Sequence, residues 1–217
     1  MDMAKTLYSE EKAQILKAAM PDLVFDGFSD EVVAKAAAQA GLDKDKARLA
    51  LPRGGVDLAI YFIQQGTEQM VHDLAQKKLL EMKIRDRIQT AVMTRLEIDT
   101  PQKEVAQRAF AILALPAYAQ DALALLSKTV DEMWRAAGDT STDGNYYSKR
   151  LILSGVYTST RMVWFQDESD DAAETRAFLG RRIEDVMKIE KGKAQWRDLK
   201  EKLPDPLAVL SNLRFGG

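Results

Sequence analysis

The sequence predicts an all-α protein, and three observations lead to that prediction. Apolar residues recur at helical spacing, as at Ile84, Ile88, Val92 and Leu96. No segment alternates apolar and polar residues between turns, which is the pattern of a half-buried strand. Proline and glycine residues, such as those in the segment 52–55, divide the periodic stretches into lengths typical of separate helices. We therefore expect helices and no sheet.

Composition excludes several classes of protein. The chain has 217 residues, of which 46% are hydrophobic and 29% charged, so it is too apolar for disorder. It contains no run of about 18 uncharged apolar residues that could span a bilayer. Cysteine is absent, which excludes disulfides and thiolate zinc sites. Because the start resembles neither a signal sequence nor a presequence, we expect a bacterial cytoplasmic protein, and the alternative is a trimmed organellar protein.

Three short helices are predicted at the N-terminus. Ser9 is expected to cap the first helix, and Pro21 to end it. Ser29 is expected to cap the second helix, which stops at Gly41. The third is expected to run from about Asp43 to Leu51.

Longer helices are predicted in the rest of the chain. Their junctions are marked by helix breakers and capping residues at 52–55, Thr100–Pro101, Leu115–Pro116, 138–145 and Ser169–Asp171. The segment 147–165 is apolar nearly all round, which is typical of a buried or interface helix. The helix after Ser169 is expected to bury Phe178, Leu179 and Ile183.

The order of the first three helices matches the helix-turn-helix of TetR-type regulators. In such regulators the second helix of the pair enters the major groove of DNA. Here that helix, 43–50, carries Asp43 and Asp45 at the end that would approach phosphate. The formal net charge of -2 also gives no overall positive field. We therefore expect no DNA binding, and the alternative is a ligand-responsive TetR-type repressor.

The residues of the chain do not assemble a recognisable catalytic or metal site. His72 is the single histidine, and Glu68-x-x-x-His72 has the wrong spacing for the Glu-x-x-His motif of di-iron bundles. No glycine-rich phosphate loop or nucleophile elbow is present. We therefore expect neither an enzyme nor a bound cofactor or metal.

One segment is unusual for a generic helical domain. Residues 133–150 read MWRAAGDTSTDGNYYSKR, and Val156-Tyr157-x-x-Thr160, Gln166-Asp167-x-Ser169 and Phe178-Leu179-x-x-Arg182 follow. This pattern closely resembles the core motif of the coenzyme Q biosynthesis protein nine family, and the similarity covers most of residues 9–190.

The resemblance implies a TetR-like fold, a hydrophobic pocket for a lipid or isoprenoid, and partnership with the demethoxyubiquinone hydroxylase. The expected function is that of an accessory protein of ubiquinone biosynthesis, which presents an isoprenoid quinone intermediate to this hydroxylase at the inner membrane. Carried onto matching positions, the partner surface would include Asp131, Met133, Asp143, Tyr146, Tyr147 and Arg150.

Helix faces suggest where a lipid would lie, although such stripes are also typical of a filled core. The candidate lining residues are Leu96, Phe110, Leu113, Leu126, Val130 and Tyr157.

The C-terminal segment mixes basic residues with Trp and Leu, a composition that suits an anionic membrane surface. Candidate membrane-contact residues are Trp196, Leu199, Leu203, Leu207 and Leu210. The alternative is a tail that packs on a neighbouring subunit. The expected organisation is thus a helix-turn-helix-like subdomain at 1–55, a lipid-binding and dimerisation body at 56–190, and this basic amphipathic segment at 191–217. We also expect a homodimer.

Overall fold

A computed structural model describes residues 8–142 and 144–202, with the backbone alone for 144, 145 and 189–202. This part of the chain contains no strand. It forms nine α-helices: α1 Ser9–Asp26, α2 Asp30–Gln39, α3 Lys44–Ala50, α4 Gly55–Ala75, α5 Ile84–Asp99, α6 Lys103–Leu113, α7 Ala119–Ala136, α8 Gly144–Gln166 and α9 Ala173–Lys202. The all-α prediction is confirmed.

The first helix differs from the prediction at both ends. Ser9 is its first residue, and Tyr8 precedes it in a left-handed conformation without a side-chain cap. Pro21 lies inside α1, which continues to Asp26. Its missing N–H leaves the carbonyl of Lys17 without a helical partner, and both residues are exposed, so water can hydrate that carbonyl. The predictions of Ser9 as cap and Pro21 as terminator were therefore wrong.

The predicted Ser29 cap of α2 and the predicted end of that helix at Gly41 are confirmed. Ser29 Oγ accepts a hydrogen bond from the Val32 N–H. Gly41 has φ +72°, and the turn closes when the Leu42 N–H donates to the Ala37 carbonyl. The Asp43 carboxylate accepts from the Lys46 N–H at 2.7 Å, which starts α3.

Helix α4 is the centre of the body, with α5, α6 and α7 packed around it. Its buried face follows the helical repeat through Leu58, Phe62, Gly66 and Met70. The same cluster of buried apolar residues continues from α1–α3 into the body. The N-terminal helices therefore share one core with the rest of the described chain.

A buried ion pair lies against α4. Arg95 on α5 is 1% exposed and pairs with Asp99 at 2.6 Å. Its guanidinium occupies the space beside Gly66, where an added Cβ would lie 2.6 Å from Arg95 Nη2. Glycine at position 66 thus makes room for a charged group inside the protein.

Helices α8 and α9 pack on each other and are joined by a turn that Asp167 organises. The buried Asp167 carboxylate accepts hydrogen bonds from the backbone N–H groups of Ser169 and Thr175. Burial alone would raise the pKa of Asp167, but the Ser169 and Thr175 hydroxyls also donate to this carboxylate, and together with the N–H groups they hold its pKa well below the usual range. On α8, Leu153 and Trp164 are buried, whereas Leu151 and Met162 face outward.

None of the described helices is by itself long and apolar enough to cross a membrane. Residues 84–113 and 116–136 pass that test only as a pair, bent by 90°.

We expect Gly66→Ala to destabilise the protein by about 1–3 kcal/mol, because the new methyl group overlaps a guanidinium that cannot leave the core. Gly155→Ala is the matched control in α8, where an added Cβ meets no atom within 4 Å. It should be neutral or stabilising by up to about 1 kcal/mol. Denaturant unfolding of both variants measures the difference, and equal effects would contradict the packing described.

Candidate functional site

A cavity of about 530 Å³ lies among α5, α7, α8 and α9. Small-molecule sites commonly have volumes of roughly 300–1,000 Å³. Each of the four helices contributes apolar side chains, and the lining includes Ile84, Ile88, Trp134, Ile152, Leu153, Val156, Ile183, Val186 and Met187. The loop 138–141 closes one side of the cavity.

Arg87 fixes the start of this loop. Its guanidinium donates to the carbonyls of Leu80, Met82 and Ala137 at 2.8–2.9 Å. Gly138 follows with φ +85°, and the Asp139 N–H returns to the Trp134 carbonyl at 2.9 Å. The end of α7 and the start of the loop are therefore held by hydrogen bonds between Arg87 and backbone carbonyls.

A hydrogen-bonded network lies beside the cavity, and Ser141 and Arg135 also bond to its acids. Five of its residues are here called the Asp139 cluster: Asp131, Asp139, Tyr146, Lys149 and Arg150. Asp139 Oδ1 accepts from Lys149 Nζ at 2.7 Å, and Oδ2 accepts from Arg150 Nη1 at 3.1 Å. Asp131 Oδ1 accepts from Arg150 Nε at 2.6 Å and from the Tyr146 hydroxyl at 3.1 Å. The Arg150 guanidinium also stacks on the Tyr146 ring, 3.4 Å from its centroid.

Asp139 is the most enclosed acid of the cluster, with a side chain that is 4% exposed. Burial alone would raise its pKa, but hydrogen bonds from Lys149, Ser141 and Arg150 outweigh burial and hold the pKa well below its usual range. The pKa of Asp131 is also lowered, because bonds from Arg150 and Tyr146 overcome its desolvation. Both carboxylates are therefore charged at neutral pH.

The predicted partner-surface residues fall into three groups. Asp131, Tyr146 and Arg150 lie together in the Asp139 cluster, and Tyr147 beside them is 74% exposed. Met133 was expected on this surface, but it is fully buried and belongs to the core. Asp143 lies outside the described residues.

The predicted lipid-lining residues do not line the large cavity. Phe110, Leu113, Leu126 and Tyr157 surround a separate void of about 50 Å³, which can hold little more than a water molecule or two. Leu96 and Val130 are fully buried in the core. Helical periodicity finds buried faces correctly here, but it does not show which buried face borders an open space.

Asp139 and Lys149 were missed as site residues. Both belong to the segment that carries the family motif, but neither was assigned to a site. The signal that could have found them is the occurrence of an acid and two consecutive cations, Lys149 and Arg150, within one short motif.

The side chains of the candidate membrane-contact residues all lie outside the described part of the structure. The backbone of Trp196 and Leu199 is helical, since α9 continues to Lys202, but their side chains lie outside the description. Leu203, Leu207 and Leu210 are outside the described residues altogether. No group of three or more potential metal ligands occurs in the described part of the chain.

The expectation that α3 does not contact DNA stays a prediction. The Asp43 carboxylate is used as its N-terminal cap. Arg53, which follows α3, is held by Asp57 and Asp121 at 2.8 Å each. Bonds from these acids raise the pKa of Arg53 further above its usual value.

Comparison with known proteins identifies similar sequences. Residues 119–190 match the COQ9 family model. The chain is 37% identical to the mitochondrial ubiquinone biosynthesis protein COQ9 of Bos taurus, over 83% of this chain and 59% of that protein. It is 35% identical to the Homo sapiens protein of the same name, with the same shares covered. The chain thus spans about three-fifths of the length of these curated relatives.

Comparison with solved structures identifies the fold. The TetR transcriptional regulator from Nitrosomonas europaea superposes with a TM-score of 0.64 and 21% sequence identity, over 81% of this chain and 97% of that one. The described helices therefore have a TetR-like fold, as the order of the first three helices predicted.

Proposed function

Because the chain belongs to the COQ9 family, we propose that it acts in ubiquinone biosynthesis as a lipid-binding accessory protein and not as an enzyme. The observation that carries this proposal is the apolar cavity of about 530 Å³ beside the Asp139 cluster. The ligand would be an isoprenoid quinone intermediate, held there for the demethoxyubiquinone hydroxylase.

The charges around the cavity support an uncharged ligand. Lys149 donates to Asp139 and Ser141, and the donors of Arg87 are used by backbone carbonyls. The Lys149 charge is thus already paired with the Asp139 carboxylate, and an anionic head group at the cavity would have to compete with that carboxylate. An isoprenoid tail instead needs only the apolar surface that Ile152, Val156 and Val186 provide.

We expect Ile152→Trp to abolish most binding of a ubiquinone with a two-unit isoprenoid tail, because the larger ring occupies the cavity. Leu123→Trp is the matched control, since Leu123 is 63% exposed on α7. Native mass spectrometry measures bound ligand in both. Equal retention by the two variants would contradict the proposed site.

The same spectra report the oligomeric state. We propose a homodimer, because Leu151 and Met162 leave an apolar stripe of α8 exposed, at 76% and 44% respectively. A monomer at all concentrations would contradict it.

The hydroxylase would dock at the surface formed by Tyr147 and the Asp139 cluster. Tyr147 is exposed and its ring packs edge-on against Tyr146, 5.1 Å between centroids. An exposed aromatic beside charged groups is typical of interface hot spots.

Tyr147→Ala should weaken binding of the purified hydroxylase at least about tenfold, which corresponds to roughly 1.4 kcal/mol. Phe25→Ala is the control, because Phe25 is equally exposed, at 78%, but lies on α1. Surface plasmon resonance compares the two. If Tyr147→Ala leaves the affinity for the hydroxylase unchanged, docking at this surface is contradicted.

The segment 191–217 is proposed to contact the membrane peripherally. Its basic residues and Trp196 suit an anionic interface. The relatives compared above are named mitochondrial, and for this chain we propose the cytoplasmic face of a bacterial inner membrane. Trp196→Ser should reduce flotation with vesicles of anionic phospholipid, whereas unchanged flotation would argue against membrane contact by this residue.

A further inference from the structure

We propose that Asp139 couples the cavity to the surface around Asp131 and Arg150, so that a change at that surface opens or closes the cavity. This inference concerns regulation of the proposed lipid site and rests on the proposed function for the identity of the ligand. The coupling itself is a property of the loop 138–141 and its hydrogen bonds, which can be measured without any ligand.

Two consecutive residues of α8 face different parts of the molecule. Lys149 lines the cavity, where its ammonium lies 5.5 Å from the centroid of the Trp134 ring. Arg150 does not line the cavity and instead joins Asp131 and Tyr146. Neighbouring helical positions are about 100° apart around the axis, which explains the divergence.

The Asp139 carboxylate accepts hydrogen bonds from both of these residues. One oxygen accepts from Lys149 and Ser141, both of which line the cavity, and the other accepts from Arg150. Asp139 itself lies in the loop that closes one side of the cavity. Movement of Arg150 therefore changes a bond to the same group that holds the cavity wall.

A partner can reach this network from outside. The Asp131 and Arg150 side chains are 18% and 12% exposed. A carboxylate on the partner that pairs with Arg150 would compete with Asp131 and Asp139 for the same donors. Since Asp139 is almost completely enclosed, loss of one of its three donors leaves it less well compensated and favours an open loop.

The absence of cysteine from the sequence allows a direct test. Val156 lines the cavity and is 9% exposed, so a Val156→Cys variant reports opening of the cavity through its rate of modification by N-ethylmaleimide. The same change at Val130 is the control, because Val130 is fully buried in α7 and reports opening of the core.

We expect Asp139→Asn and Arg150→Gln each to speed modification at position 156 by about fivefold or more, the lower end of typical coupling between sites. The rate at position 130 should change less than twofold. The double variant should match Asp139→Asn alone, because Arg150 acts on the cavity through that carboxylate. Arg150→Lys keeps the charge but loses the forked geometry, so its modification rate at position 156 should lie between that of Arg150→Gln and that of the Val156→Cys protein without further changes.

Arg176→Gln is the matched control, since it breaks an arginine–carboxylate pair with Glu97 that includes no residue of the loop or of the Asp139 cluster. It should leave the rate at position 156 unchanged. Effects of Asp139→Asn and Arg150→Gln that multiply in the double variant would overturn the coupling. So would equal acceleration at positions 130 and 156, which would show that the cluster only stabilises the fold.

Failure of the proposed function gives a different pattern. If Ile152→Trp leaves quinone binding unchanged while the double variant still shows coupling, the lipid assignment is wrong and the loop mechanism stands. If Ile152→Trp abolishes quinone binding but the effects of Asp139→Asn and Arg150→Gln on the modification rate multiply in the double variant, the lipid site stands without this coupling.

Discussion

The enclosed carboxylate of Asp139 is the interaction on which the site depends. A charged carboxylate with a 4% exposed side chain is stable only where donors replace the water that it has lost, and Lys149, Ser141 and Arg150 do so. Their convergence fixes the loop after α7 against the start of α8. That loop forms one side of the cavity, so the cavity and the charged surface share a single polar support.

The buried Arg95–Asp99 pair plays a comparable part deeper in the body. Burial raises the pKa of Asp99, although Arg95 opposes this by its charge and hydrogen bond. Gly66 provides the space for the guanidinium on α4. The central helix α4 therefore packs against a charged group at this point. Because that group fills the space where a Cβ would lie, position 66 requires glycine although it is inside a helix.

Local signals predicted the fold well. Ser29 accepts a hydrogen bond from the backbone N–H of Val32, and Gly41 ends the helix in a left-handed conformation, so both roles follow from the local sequence. Pro21 was misassigned because water, which the sequence does not show, can replace its lost helical bond.

The site was harder to predict, since whether a buried face borders a void depends on how four helices separated in sequence come together. Leu96 and Val130 were correctly placed on buried faces, but their neighbours fill the space around them. Asp131, Tyr146 and Arg150 were named together because of the family motif, and the structure brings them into contact.

Photo-crosslinking with a diazirine-bearing isoprenoid quinone locates the bound ligand by residue and so tests whether the cavity among α5, α7, α8 and α9 is the lipid site. The account predicts label on Ile84, Ile152, Val156 and Val186, around the cavity of about 530 Å³. Label confined to Phe110, Leu126 and Tyr157 would place the ligand at the small void instead and contradict it.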